Sequence, residues 1–170
     1  MMTTTTISVF LNTWANYNEK GADGGFWVEL SCDLDDVLER LAESTGKEVD
    51  EMEVFINDYE TEINGLEISE YENVADLNEF AGCLKHLDED DIEKIEAIIE
   101  ADGGTLRDAI DEIDDYTYYS GMTLEDVAYE LVEECYELPE FAKRYFDYEA
   151  FARDLGYDGY TETTNGVICK

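Results

Sequence analysis

The chain has 170 residues and carries 45 Asp and Glu against 10 Lys and Arg, a formal net charge of −35 at pH 7. Charge on that scale usually means disorder or an acidic tail, but hydrophobic residues are 44% of the chain and aromatics 12%, enough to bury a core. Nor is the acid confined to one end: residues 1–62, 63–103 and 104–170 carry −12 (15 acids, 3 bases), −11 (13 and 2) and −12 (17 and 5).

The first segment mixes strand and helix. Ile7-Ser8-Val9-Phe10-Leu11 alternates like a strand, and Gly25-Phe26-Trp27-Val28-Glu29-Leu30 reads as its partner. Between them, Asn16 to Gly24 reads as a polar, Gly-containing loop. Asp33 is a candidate N-cap for a helix with Leu34, Val37, Leu38 and Leu41 on its apolar stripe, stopped by Gly46. Glu53 to Tyr59 reads as a third strand.

The middle is helical. Asn73 caps a helix with Val74, Leu77, Phe80, Ala81, Leu84 and Leu87 on one face. A second helix follows Asp88-Glu89-Asp90-Asp91, buries Ile92, Ile95, Ile98 and Ile99, and ends at Gly103-Gly104. In the last segment a short helix from Thr105 leads to strand-like Tyr116-Thr117-Tyr118-Tyr119. Thr123-Leu124-Glu125-Asp126 resembles a capping box, opening a helix with Leu124, Val127, Ala128, Leu131, Val132 and Cys135 inward. Pro139 suits the first turn of another helix. A further helix spans Tyr148 to Leu155, and Tyr157 to Cys169 reads as a terminal hairpin. The expected class is α+β: a mixed N-terminal domain (1–62), a small helical middle (63–103) and a mixed C-terminal domain (104–170).

The carboxylates follow a pattern. Glu89, Glu93, Glu96 and Glu100 are spaced four, three and four, and Asp126, Glu130, Glu133 and Glu137 repeat that spacing. At ~1.5 Å rise per residue each set forms a row with roughly 5–6 Å between acids. Phosphates along one DNA strand rise ~3.4 Å per nucleotide while winding about the axis. A groove lined with Lys and Arg could accept either row. Helix chemistry disfavours such stripes, because like charges four residues apart cost ~0.2–0.5 kcal/mol per pair. A solvated face explains most charge runs in ordinary proteins, but not acid spread this evenly. Salt adaptation would account for the charge and fits poorly with 12 Tyr, 7 Phe and 2 Trp. Several tyrosines stand beside acids (Tyr59, Tyr71, Tyr116, Tyr148), an interface composition. Each one taken singly reads equally well as a partly buried ring.

Catalytic chemistry is not indicated. His86 is the one histidine and falls beside an apolar stripe. No Ser or Cys has an evident base, and no phosphate-binding glycine motif occurs. Asp33-Leu34-Asp35-Asp36 and Asp88-Glu89-Asp90-Asp91 lack the glycine and closing Glu of a calcium loop, so no metal site or cofactor is expected. Cys32, Cys83, Cys135 and Cys169 lie far apart, as reduced thiols do. The start, Met1 to Thr6, lacks signal-peptide features, and no stretch approaches a membrane span, so a cytoplasmic protein without membrane contact is expected.

Several stretches carry a family resemblance: Ile7-Ser8-Val9-Phe10-Leu11 with Trp27-Val28; Phe55-Ile56-Asn57-Asp58-Tyr59-Glu60; Leu131-Val132-Glu133-Glu134 with Leu138-Pro139-Glu140; and Tyr145-Phe146-Asp147-Tyr148-Glu149-Ala150-Phe151-Ala152-Arg153-Asp154-Leu155. Through them the chain resembles the ArdA-type antirestriction proteins of plasmids and conjugative transposons. The resemblance implies an elongated, curved homodimer that mimics bent DNA and inhibits type I restriction–modification enzymes of the bacterial host. It also implies dimerisation through the C-terminal domain, with an antirestriction motif at about Asp126 to Glu140. The expected dimer region is Tyr129, Leu131, Val132, Tyr136 and Leu138.

The carboxylates assigned to the DNA-like surface are, in the middle segment, Glu67, Glu70, Glu72, Asp76, Glu79, Asp88, Glu89, Asp90, Asp91, Glu93, Glu96 and Glu100. In the last segment they are Asp111, Glu112, Asp114, Asp115, Asp126, Glu130, Glu133 and Glu137. Direct nucleic-acid binding is not expected. An acidic chaperone for basic nucleic-acid-binding proteins is the alternative reading. It would tolerate rearrangement of acids at constant charge, which mimicry would not.

Overall fold

A computed structural model describes residues 5–49 and 52–170. Met1 to Thr4, the part of the Thr-rich start read for signal features, lie outside the described residues. The chain divides into two units, Met1–Asp88 and Glu89–Lys170, and both mix helix with antiparallel sheet, an α+β protein.

The first unit opens with β1 (Ile7–Thr13), followed by α1 (Trp14–Lys20), a 3-10 turn (Gly21–Gly24), β2 (Phe26–Leu30), α2 (Leu34–Thr45), β3 (Val54–Thr61) and α3 (Val74–Leu84). Its sheet has the order β2-β1-β3, antiparallel throughout. Val9 lies opposite Val28 and Tyr59. The β1–β3 register shifts between Phe10 and Leu11, whose partners are Asp58 and Ile56. Asn57 is thus the extra residue of a bulge.

Alternation on β1 places Ile7, Val9 and Leu11 in the core with Val28 and Leu30 of β2, Ile56 of β3, Leu41 of α2, and Leu77, Ala81 and Leu84 of α3. Each fully buried side chain of this kind contributes about 1.5–3 kcal/mol. The capping signals hold. Asp33 accepts from the Asp36 N–H, and Asn73 accepts from the Ala75 and Asp76 N–H groups. Gly46 closes α2 in the left-handed region at φ 67°, where a side chain would be strained.

The polar loop expected from Asn16 to Gly24 is instead α1 and a 3-10 turn. Thr13 caps α1, its Oγ1 accepting from the Asn16 N–H at 3.1 Å. Asn16 is buried, and its amide donates to the Gly24 carbonyl (3.1 Å) and to Ser44 Oγ (2.8 Å). Trp14 stacks on Phe55 with centroids 4.1 Å apart. Buried polar contacts hold this helix, so it shows no apolar periodicity. The chain then passes so close to β1 that a Cβ on Gly25 would lie 2.4 Å from the Leu11 carbonyl oxygen.

The second unit comprises α4 (Glu89–Asp102), α5 (Leu106–Asp111), a 3-10 turn (Ile113–Asp115), β4 (Thr117–Ser120), α6 (Leu124–Glu134), α7 (Glu140–Lys143), α8 (Tyr148–Tyr157), β5 (Tyr160–Thr163) and β6 (Gly166–Cys169). The terminal hairpin is present, and β4 pairs with the other edge of β6 to give the order β4-β6-β5. Val167 joins Val127, Ala128, Ala152 and Leu155 in a core beneath α6 and α8. Ile168, its neighbour on β6, is also buried, and α4 packs on all three strands. The sheet therefore has helix on both faces. Thr105 and Thr123 form capping boxes with Asp108 and Asp126. Pro139 sits one residue before α7 as its N-cap, and α7 is a single turn. Cys135, expected inward, is the exposed C-cap of α6, because the helix ends at Glu134.

Candidate functional site

The first acidic row is not a free row. The spacing does place Glu93, Glu96 and Glu100 on one side of α4, but that side faces the strands and hairpin of the second unit. Glu93 Oε2 accepts from Ser120 Oγ at 3.0 Å and lies 3.4 Å from the Tyr118 hydroxyl, which donates to the Asn165 carbonyl at 3.0 Å. Glu96 is 8% exposed and accepts from Asn165 Nδ2 at 3.2 Å. Glu100, although exposed, accepts from the Thr164 N–H and Oγ1 at 3.0–3.2 Å. Glu96 and Glu100 fasten the hairpin to α4, Glu93 fastens β4 to it, and Glu96 is buried in that contact. Burial and the nearby Glu93 carboxylate push the Tyr118 hydroxyl above its ordinary pKa. At the start of α4, Glu89 and Asp90 are exposed and Asp91 is half-buried. All three lie in the first turn, where the helix dipole favours negative charge.

The second row is also divided. Asp126 Oδ2 accepts from the Thr123 N–H (2.9 Å) and Oγ1 (2.8 Å), which holds its carboxyl below the usual range. Asp108 is lowered in the same way, first by the Thr105 hydroxyl. Glu130 is half-buried. Glu133 pairs with Lys143 at 2.8 Å, which raises the lysine pKa. Glu137 is exposed on the segment after α6.

The other assigned acids vary in setting. Glu67, Glu70, Glu79 and Asp88 are exposed, whereas Glu72 and Asp76 are half-buried. Asp111 lies 3.6 Å from Arg107, and Glu112 pairs with Lys170 at 2.6 Å. Asp114 and Asp115 are exposed.

A more open row lies where the stripe argument did not look. Asp35, Glu39 and Glu43, spaced four and four on α2, are exposed, and so is Asp36. Their neighbour Arg40 lies over the Phe26 ring, 4.0 Å from its centroid. The signal was present in the sequence: an amphipathic helix with Leu41 as its buried anchor must turn the opposite side to water.

The expected dimer region separates by burial. Tyr129 and Tyr136 are 46% and 52% exposed, whereas Leu131 and Leu138 are half-buried. Val132 is 1% exposed and belongs to the interior of its own unit. Phe141 and Tyr145, at and just beyond α7, are both 75% exposed and in ring contact at 5.6 Å.

His86 is exposed just beyond α3. Among the described residues no group of three or more His, Cys, Asp or Glu is placed to hold a metal ion. No helix among them is long and apolar enough to cross a membrane. All four cysteines are free thiols. Cys32 has its pKa raised chiefly by burial.

These features define a folded α+β polyanion whose surface chemistry is carboxylate and aromatic ring. A family model described as antirestriction protein (ArdA) matches residues 9–169. The match covers nearly the whole chain, and the protein belongs to the ArdA antirestriction family. A comparison with curated proteins gives no match.

Proposed function

We propose that this antirestriction protein is a DNA mimic that occupies the DNA-binding cleft of a type I restriction–modification enzyme. It acts as a stoichiometric inhibitor and turns over no substrate. The observation that carries the reading is the amount of exposed, unneutralised carboxylate on a chain with well-buried cores. The acids of α2, with Glu89 and Asp90 at the start of α4, are offered to solvent, while bases are few in both units. Lys and Arg side chains that hold phosphates would pair with such acids and release the same counterions. The surface acts as a whole, so single neutralisations have small effects.

The active species in this reading is a homodimer in the host cytoplasm, joined through the aromatic surface of Tyr129, Tyr136, Phe141 and Tyr145. Rings exposed to this degree in so charged a protein support a role in contact. Phe141→Asp would then give a folded monomer by sedimentation velocity. An unchanged dimer would move the contact elsewhere.

The test of function is competition. A purified type I enzyme is mixed with labelled duplex carrying its site, and the protein is titrated in at two salt concentrations. Displacement near one-to-one, weaker at higher salt, is the expected result. Retention of DNA at both salts would remove this target and favour a chaperone for basic proteins.

A further inference from the structure

The sheet of the first unit has two unlike faces. One carries Ile7, Val9 and Leu11 into the core. On the other, Phe10 stands between Trp27 on β2 and Asp58 on β3, and Ser8 stands between Glu29 and Glu60. Trp27 is 45% exposed, and Glu29, Asp58 and Glu60 are exposed as well. Phe10, half-buried, meets the Trp27 ring edge-to-face at 5.5 Å and 79°. Directly opposed residues sit ~4.5–5.5 Å apart at Cβ, and alternate residues of a strand are separated by about 6.6 Å. Two rings and three carboxylates therefore share one small patch on rigid strands. None of the three strands contains a Lys or Arg.

We propose that this face receives arginine side chains of a basic protein partner. A guanidinium lies over the Trp27–Phe10 pair while its N–H groups reach Asp58, Glu29 or Glu60. Charge complementarity selects this occupant. A second copy of the chain would set three carboxylates against three, and a nucleic acid would set phosphates against them. The chemistry favours Arg over Lys because a planar guanidinium stacks on a ring and also donates to a carboxylate in fork geometry. The same unit already makes half of this contact internally, with Arg40 over Phe26. The inference rests on the reading that the target is a basic DNA-binding cleft, and it adds a contact that phosphate mimicry alone does not supply.

The test compares full-length variants for affinity to a purified type I enzyme across a salt series, after circular dichroism shows each is folded. Trp27→Ala and Trp27→Leu should weaken binding roughly 3- to 30-fold, the range of a cation–π contact from exposed to desolvated. Trp27→Phe should keep most of the affinity. None of the three should alter the salt slope, because no charge is removed. The combined Glu29→Gln, Asp58→Asn, Glu60→Gln variant should flatten that slope. Wild-type affinity in Trp27→Leu, or a change in self-association in place of target affinity, would overturn the proposal.

If the wild-type protein does not bind the enzyme, the broader reading fails while the face can still be tested. In a Trp14→Phe background Trp27 is the sole tryptophan, and its fluorescence is followed against an arginine-rich and a lysine-rich peptide of equal length. A larger response to arginine sustains the proposal. Equal or absent responses end it.

Discussion

Asn165 offers a direct test of whether the α4 acids are structural. Its amide donates to the Glu96 carboxylate at 3.2 Å, and Glu96 is 8% exposed. A hydrogen bond to a charged group contributes ~1.5–3 kcal/mol, and a buried acceptor deprived of its donor incurs a desolvation penalty of similar size. Asn165→Ala should therefore destabilise the second unit by about 1.5–3 kcal/mol. For a chain of this size that is a fall in melting temperature of about 3–12 °C. Asn165→Asp should be worse, because it replaces the donor with a second carboxylate. The assay is thermal unfolding of the full chain, with amide hydrogen exchange to localise the loss to β5, β6 and α4. The companion variant is Glu96→Gln, which keeps an acceptor for Asn165 and removes the charge. It should inhibit as well as the wild type. An unchanged midpoint in Asn165→Ala would refute the structural assignment. So would a Glu96→Gln protein as impaired in inhibition as one stripped of exposed acids.

Other consequences can be checked separately. Neutralising the exposed α2 row together, Asp35→Asn, Glu39→Gln and Glu43→Gln, should weaken DNA displacement and reduce its salt dependence while leaving the fold intact; unchanged displacement would remove α2 from the binding surface. Thr123→Val should destabilise α6 by about 1 kcal/mol, the usual effect of losing an N-cap, as read by urea unfolding. Asp126 is held below the usual carboxylate range in the folded state, so the stability it contributes is present above the ordinary value and lost as pH falls through the folded one. Titration of Asp126 by NMR should show this lowering in the wild type and a smaller one in Thr123→Val, which removes the hydroxyl donor but keeps the backbone N–H that is the larger cause. Tyr160 is pushed up to about 12, first by burial and then by Cys169 and Tyr119. Because its folded pKa is raised, the stability it contributes is complete below 10 and is lost as pH rises towards 12. Tyr160→Phe should lessen that alkaline loss as followed by ultraviolet absorbance.

Local chemistry was legible in the sequence. Asp33, Asn73, Thr105 and Thr123 cap helices because a short polar side chain before an apolar period satisfies N–H groups within its own turn. The strands at Ile7 and Phe26 follow from alternation, and the C-terminal hairpin lies within the stretch Tyr157 to Cys169 read as one. Only composition was needed to see that the folded surface must be acidic, since 45 carboxylates cannot all be buried. The spacing of Glu93, Glu96 and Glu100 correctly put them on one side of a helix.

Tertiary structure decided what that side faces. The partners of these acids, Ser120, Thr164 and Asn165, lie 27 to 69 residues further along the chain. Helical period cannot distinguish water from a sheet edge carrying hydroxyl and amide donors. The same limit hid α1, whose Asn16 is fixed by Ser44 from another helix. It also hid the interior position of Val132 within the expected dimer region. Periodicity assigns a residue to a side of its element, but whether a carboxylate there is a docking group or an internal fastening depends on which donors the fold brings to it.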